Sequence, residues 1–424
     1  MSAIPYAALW IFVFSLPWEN ALVAYYPGVS IVTKVTGALA LAAMLGFVVL
    51  SGQVRRWRWM HVAALLFVVW GGGELFFLHV GQRLPYKFST FVQLFLVLWI
   101  IWELAPSWPR QLGLMTAYVL GSYIAAIATV LQYRREAGAL RRFAALQTDP
   151  NSLAMTLALA MPMAWYLSAT SRSVLLRWVC RLYMIVGLVA VALTASRGGM
   201  VATIMALTIV PLTMTKLSPG RLVTALVVLV LSGALAVAYV PEKIVQRLAT
   251  TGTEVEDLSL GGRFGIWKAG MKAFTARPVT GYGPGQWRAG VAPWLGPNAQ
   301  VAHNSFLSVL VETGLVGLTL YLAMFVAVFR ATRRMPSLER RFTLVLFLTL
   351  VVAMLPLSWE DQKAVWFVLA LLFGLAQATG VALPGALRQA PLARPAPVGR
   401  PVMAARTREP FRRVPRDINP DSTT

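Results

Sequence analysis

Residues 302–329 read AHNSFLSVLVETGLVGLTLYLAMFVAVF. Asn304 and Ser305, both good helix caps, open an apolar run that can cross a bilayer as a helix, which takes about 20 apolar residues at about 1.5 Å per residue. His303 stands where that helix begins. The residues before it are polar and turn-rich: GGRFGIWKAG at 261–270 and RPVTGYGPGQW at 277–287. They carry Arg263, Lys268, Lys272, Arg277 and Arg288. A cationic passage between apolar segments, ending in a histidine at a helix start, fixes how the rest of the chain is read.

Of 424 residues, 58% are hydrophobic and 13% charged. That is too apolar for a soluble domain and too long for one core. About twelve apolar runs recur, so the expected class is an all-α polytopic membrane protein. A membrane β-barrel would need alternating strands of about ten residues. The single cysteine, Cys180, leaves no disulfide framework and no cysteine metal site. The formal charge of +22 is spread over loops and a tail, with no soluble domain to carry a groove, so it does not indicate nucleic acid.

The expected spans are 3–17, 35–51, 61–80, 89–104, 112–132, 151–169, 175–195, 198–215, 222–240, 304–329, 342–357 and 364–381. The first is read as a retained helix, because no small-residue cleavage site follows it. Lysine and arginine concentrate in alternate loops, at Arg55, Arg56 and Arg58, at Arg172, Arg177 and Arg181, and from Arg330 to Arg341. By the positive-inside bias those loops and both termini are cytoplasmic. The chain then divides into spans one to nine (1–240), an outer loop with short helices (241–303), spans ten to twelve (304–381) and a basic, disordered tail along anionic headgroups (382–424).

Several outer segments defy the bias. Arg134, Arg135, Arg141 and Arg142 lie between spans five and six, and Lys87 precedes span four. Arg197 opens span eight in TASRGGM, followed by Gly198 and Gly199, which admit a close neighbour. A bound polyanion would compensate for such cations, and arginine suits it through its planar fork. Solvated loop charge accounts equally well for Arg277 and Arg288. Arg263 is expected at the N-terminus of a helix over 264–274, with Phe264, Trp267, Met271 and Phe274 as its apolar positions. GYGPGQW lacks the Gly-Lys-Ser/Thr of a phosphate loop and reads as a structural turn.

His61 and His79 lack acidic or cysteine neighbours, so no zinc site is expected. Near a helix N-terminus and clustered arginines, the His303 imidazole stays neutral and can accept a proton. Glu312 is an acid within a span, and Gly314 and Gly317 favour close helix contact. The outer segments are read as lacking a catalytic acidic pair, with Glu254, Glu256 and Asp257 forming a solvated turn.

These residues resemble the O-antigen ligase and polymerase superfamily. The likeness rests on AHNSFL and ETGLVG, on GRFGIWK and RPVTGYGPG, on TASRGGM at 194–200 and on the Asp-Pro-Asn of 149–151. What the resemblance implies is a GT-C-like glycosyltransferase of the bacterial inner membrane, with its active site facing the periplasm. Its donor would be an undecaprenyl-pyrophosphate-linked O-antigen and, in the ligase, its acceptor the lipid A core. The implied catalytic set is His303 as base with Arg263 and Arg197 as pyrophosphate clamp. Lys87, Arg142, Arg288, Asn304 and Glu312 would contact substrate, with no metal or cofactor and with inversion. Relatives that polymerise O-antigen or glycosylate protein are the alternatives within the superfamily. A transporter or flippase for a lipid-linked anion is the alternative outside it, and should carry inverted repeats or broken helices in both halves. The sequence has neither.

Overall fold

A computed structural model describes residues 3–19, 31–77, 83–135, 149–214, 263–296 and 299–382, with isolated positions between 219 and 234. The elements are α1 (Ala3–Ser15, followed by a 3-10 turn to Trp18), α2 (Val32–Ser51), α3 (Trp59–Phe77), α4 (Arg83–Leu104) and α5 (Trp108–Arg135). After these come α6 (Pro150–Thr170), α7 (Val174–Leu193), α8 (Arg197–Leu207) and α9 (Ile209–Met214). The remainder are α10 (Arg263–Ala276), α11 (Trp287–Leu295), α12 (Ser305–Thr332), α13 (Ser337–Met354) and α14 (Lys363–Ala382). There is no strand among the described residues. The helices fall on the expected apolar segments, except that most of 222–240 lies outside the described residues. So do Arg141, Arg142, His79, the acidic run 254–257 and the tail beyond Ala382.

Six helices are long and apolar enough to cross a membrane, among them Pro150–Thr170 and Ser305–Thr332. Ala3–Trp18, Trp59–Gly73, Arg197–Thr213 and Lys363–Thr379 are apolar but shorter. The centre of the bundle is α6, which packs against α5, α7, α8 and α13. Asp149 starts it by accepting from the Ser152 amide at 3.0 Å, and Pro150 occupies the first turn, where no amide partner is needed. Small residues let the neighbours close in: a Cβ on Gly199 of α8 would sit 2.3 Å from the Ala154 Cβ of α6. On the other flank, Phe67, Phe91, Tyr321 and Trp366 join α3, α4, α12 and α14, with ring centroids 5.0 to 6.4 Å apart.

Loops of like parity meet at the same end. The Arg55 amide donates to the Glu103 carboxylate at 3.1 Å, and the Arg341 guanidinium to the Leu212 carbonyl at 2.7 Å. These tie together the arginine-rich loops. At the opposite end, Lys363 pairs with Glu19 at 2.5 Å, and the starts of α4, α6, α8, α12 and α14 are linked by the contacts below.

Candidate functional site at the helix starts

Among the described residues, two that are not glycine have positive φ: Ala195 at 49° and His303 at 47°. Each immediately precedes an N-cap. Ser196 caps α8 by accepting from the Gly199 amide at 3.0 Å, and Asn304 caps α12 by accepting from the Leu307 amide at 3.0 Å. A left-handed residue before a cap turns the chain sharply into the helix, at a local cost of about 1–3 kcal/mol that the packing around it must offset. The two turns are not isolated. Ser196 donates to the Asn151 side chain at 2.9 Å, which joins TASRGG to Asp-Pro-Asn. Arg197 is the first residue of α8, and Arg263 the first of α10.

His303 is partly buried, and its Nδ1 has no hydrogen-bond partner. Burial first, and then the Arg263 cation, hold its imidazole below the ordinary value, while the Asp149 carboxylate pulls the other way. Both charged groups therefore lie within electrostatic reach of the ring. The backbone leading to His303 is pinned by two indoles. Trp267 donates to the Ala302 carbonyl at 3.0 Å and Trp287 to the Gln300 carbonyl at 2.8 Å.

The turn at 278–287 is built into a break in α12. Gly314 has φ 65° and ψ −168°, so the helix is interrupted one residue after Thr313. Inside a membrane, freed backbone groups have to find partners within the protein. The Val311 carbonyl accepts from the Tyr282 amide (3.1 Å) and the Glu312 carbonyl from the Gly283 amide (2.7 Å). The Leu315 amide donates to the Pro278 carbonyl at 2.8 Å, and the Trp70 indole donates to the Thr313 carbonyl at 2.9 Å. The segments touch backbone to backbone: a Cβ on Gly314 would lie 2.0 Å from the Val279 oxygen. Gly314 is thus a break, where the sequence reading expected a contact between intact helices and saw no broken helix.

Lys87 and Glu312 also have other partners than expected. The Lys87 ammonium is 2.7 Å from Glu312 and 2.7 Å from Glu360, and both carboxylates are buried. Two carboxylates already meet its charge, so it is not held out to a phosphate. Glu312 also accepts from the Trp287 amide at 3.3 Å, and Glu360 from the Ser308 hydroxyl at 2.7 Å. Glu312 therefore ties α4, α12 and the 278–287 turn together. Glu360 and Asp361 form an acidic pair in the segment that joins α13 to α14, where the sequence reading expected none. Their segment, 355–362, is an organiser the sequence reading missed. The Ser305 hydroxyl donates to the Leu357 carbonyl at 2.7 Å and accepts from the Trp359 amide at 2.8 Å. Pro356 would lie 2.9 Å from a Cβ on Gly198, beside Arg197.

Residues 182–322 match the family model described as O-antigen ligase.

The matched third of the chain agrees with the O-antigen ligase and polymerase superfamily. It contains the Ala195–Arg197 turn, α10, the 278–287 turn, His303 and the break at Gly314. No curated protein matches the chain. Within the match, His303, Arg263 and Asn304 come together, while Arg288 is exposed on α11. Asp149 and the 355–362 segment lie outside it; Asp149 acts electrostatically on His303, and the segment bonds Ser305, two residues beyond it. Charged residues within SWEDQK, between two apolar runs, were the available signal for the latter.

The buried face of α10 also differs from expectation. Ile266, Ala269, Gly270 and Ala273 face inward, while Phe264 and Met271 are exposed. The reason is steric. Trp287 and Leu307 pack so closely on α10 that a Cβ at Gly270 would lie 2.7 Å and 3.1 Å from them.

Proposed function

We propose that this chain is an O-antigen ligase-type glycosyltransferase. It transfers a glycan from undecaprenyl pyrophosphate to the lipid A core at the periplasmic face of the bacterial inner membrane. Both termini are cytoplasmic and the bundle crosses about twelve times, in a GT-C-like arrangement. The observation that carries the reading is His303: a partly buried imidazole with an unpartnered Nδ1, held below its ordinary value, at a helix start, with the Arg263 cation within electrostatic reach.

The acceptor hydroxyl loses its proton to His303 as its oxygen attacks the anomeric carbon. The bond from that carbon to the pyrophosphate oxygen breaks, and the electron pair leaves with the lipid pyrophosphate. Arg263 and Arg197, each at the first residue of a helix, balance the charge that develops there, aided by the helix dipoles. A single displacement inverts the anomeric centre, and no step calls for a metal. Lys87 and Glu312 take no part in the clamp. Polymerase chemistry would use the same base and leaving group with a second glycan as acceptor. Transport is disfavoured because the carbonyls and amide freed at Gly314 are met by the protein, so this break does not offer them to a passing ligand.

The test is His303→Ala in purified protein. Transfer is lost while donor binding and thermal stability stay at wild-type levels. Full transfer by this variant would remove the base.

A further inference from the structure

A cleft opens at the same end of the bundle, between the end of α1, the first turns of α6 and the start of α14. Glu19, Ser152, Thr156, Trp359, Gln362 and Lys363 line it, and it is shallow and partly open to solvent. Ser152 and Thr156 are four apart and share one face of α6. We propose that this cleft is a subsite for a sugar ring of the acceptor, an assignment that rests on the glycosyl-transfer reading above.

Charge comes first. Glu19 and Lys363 are paired at 2.5 Å, so the lining carries no net charge. Asp149 adds a carboxylate at the α6 end, where it accepts from the Ser152 hydroxyl at 3.1 Å. An electroneutral cleft edged by an acid repels a pyrophosphate and suits a neutral polyhydroxylated ring. Hydrogen-bond direction agrees. Ser152 donates to Asp149, and Thr156 donates to the Ser152 carbonyl at 3.0 Å, so both hydroxyls present lone pairs that accept from sugar hydroxyls. The Gln362 amide, exposed at the cleft, can donate and accept.

Position comes second. Two walls of the cleft reach the residues around His303. Ser152 is bonded to Asp149, which acts electrostatically on His303, and the Trp359 amide donates to Ser305, two residues beyond His303. The cleft is thus joined through Asp149 and Trp359 to the helix start that carries the base, while Arg263 supplies the cationic neighbourhood a donor pyrophosphate needs. An acceptor seated there would bring a hydroxyl toward a base that has a lone pair to spare.

Thr156→Val and Gln362→Ala test the assignment in full-length protein in nanodiscs. In the transfer assay, acceptor KM rises about fivefold to tenfold in each variant, the worth of roughly one hydrogen bond, while kcat and donor KM hold. In a second arm, lipid-free core oligosaccharide is titrated onto His303→Ala protein by saturation-transfer NMR, and binding weakens by the same factor when either substitution is added. Unchanged oligosaccharide affinity in both variants overturns the subsite, and so does a rise in donor KM in place of acceptor KM. The binding arm needs no turnover. Variant-sensitive binding without any transfer by the wild type counts against the ligase reading and leaves the subsite standing. Transfer with unchanged acceptor KM does the reverse.

Discussion

Gly314→Ala is the substitution the structure weighs most clearly. With φ 65° and ψ −168°, Gly314 occupies a region almost closed to residues with a Cβ, at a strain of about 1–3 kcal/mol for alanine. The new Cβ would also lie 2.0 Å from the Val279 carbonyl oxygen and 2.4 Å from its carbon. Both are backbone atoms, so no side-chain rotation relieves the clash, and the 278–287 turn has to move away. That loosens three backbone hydrogen bonds between turn and helix, at about 1 kcal/mol each. The total is about 4–6 kcal/mol, which for a chain of this size lowers the thermal midpoint by on the order of 5–10 °C. The assay is thermal unfolding in nanodiscs, with glycan transfer measured on the same samples. Leu315→Ala, at an exposed neighbour, serves as control and stays near wild type. Gly281→Ala meets the same backbone from the other side, 2.5 Å from the Glu312 oxygen, so the double variant costs less than the sum. A Gly314→Ala protein with wild-type midpoint and activity would refute the claim that turn and break lock each other.

Other consequences follow from the charges. Lys87→Met leaves Glu312 and Glu360 buried without their cation and costs about 3–5 kcal/mol, read as a lowered thermal midpoint that Glu312→Gln partly restores. The acid limb of kcat/KM falls below the ordinary imidazole value of about 6.5, because burial and Arg263 hold His303 neutral. Arg263→Gln moves that limb upward. Asp149→Asn, which keeps a good cap but removes the charge, moves it further down. The linkage has the same sign. With the folded value lowered, His303's contribution to stability is intact above about pH 6.5 and is lost as pH falls toward the folded value, which a pH series of midpoints checks. Finally, dialysis against EDTA leaves transfer unchanged; loss of activity restored by Mg²⁺ would contradict the metal-free step.

Much of the fold was legible because helices that can cross a membrane announce themselves by composition alone. Asn304 and the start of α12 could be read from cap chemistry, which is local. The break at Gly314 could not. In an apolar run it looks like any small residue at a helix contact, and the turn that enforces it lies more than twenty residues upstream. The face of α10 was misjudged for a related reason. Spacing alone does not say which side of a short helix packs: Gly270 faces Trp287 and Leu307, where a Cβ would clash, and that orientation leaves Phe264 and Met271 exposed. Lys87 was read as a cation for a polyanion because its partners, Glu312 and Glu360, lie far along the chain. His303 and Arg263 could be singled out because a polar, arginine-bearing passage is rare in so apolar a sequence. Asp149 could be quoted only as part of a motif, since its bearing on His303 depends on how α6 and α12 pack.

The central claim is that the outer helix starts form a glycosyl-transfer site with His303 as base and the lipid A core as acceptor. Its most direct test combines purified protein, undecaprenyl-pyrophosphate-linked glycan and rough lipopolysaccharide in one cell-free reaction, with products resolved by mass. The account predicts glycan joined to the lipid A core by the wild type and none by His303→Ala. Longer lipid-linked glycan with no transfer to the core, or no new bond at all, would contradict it.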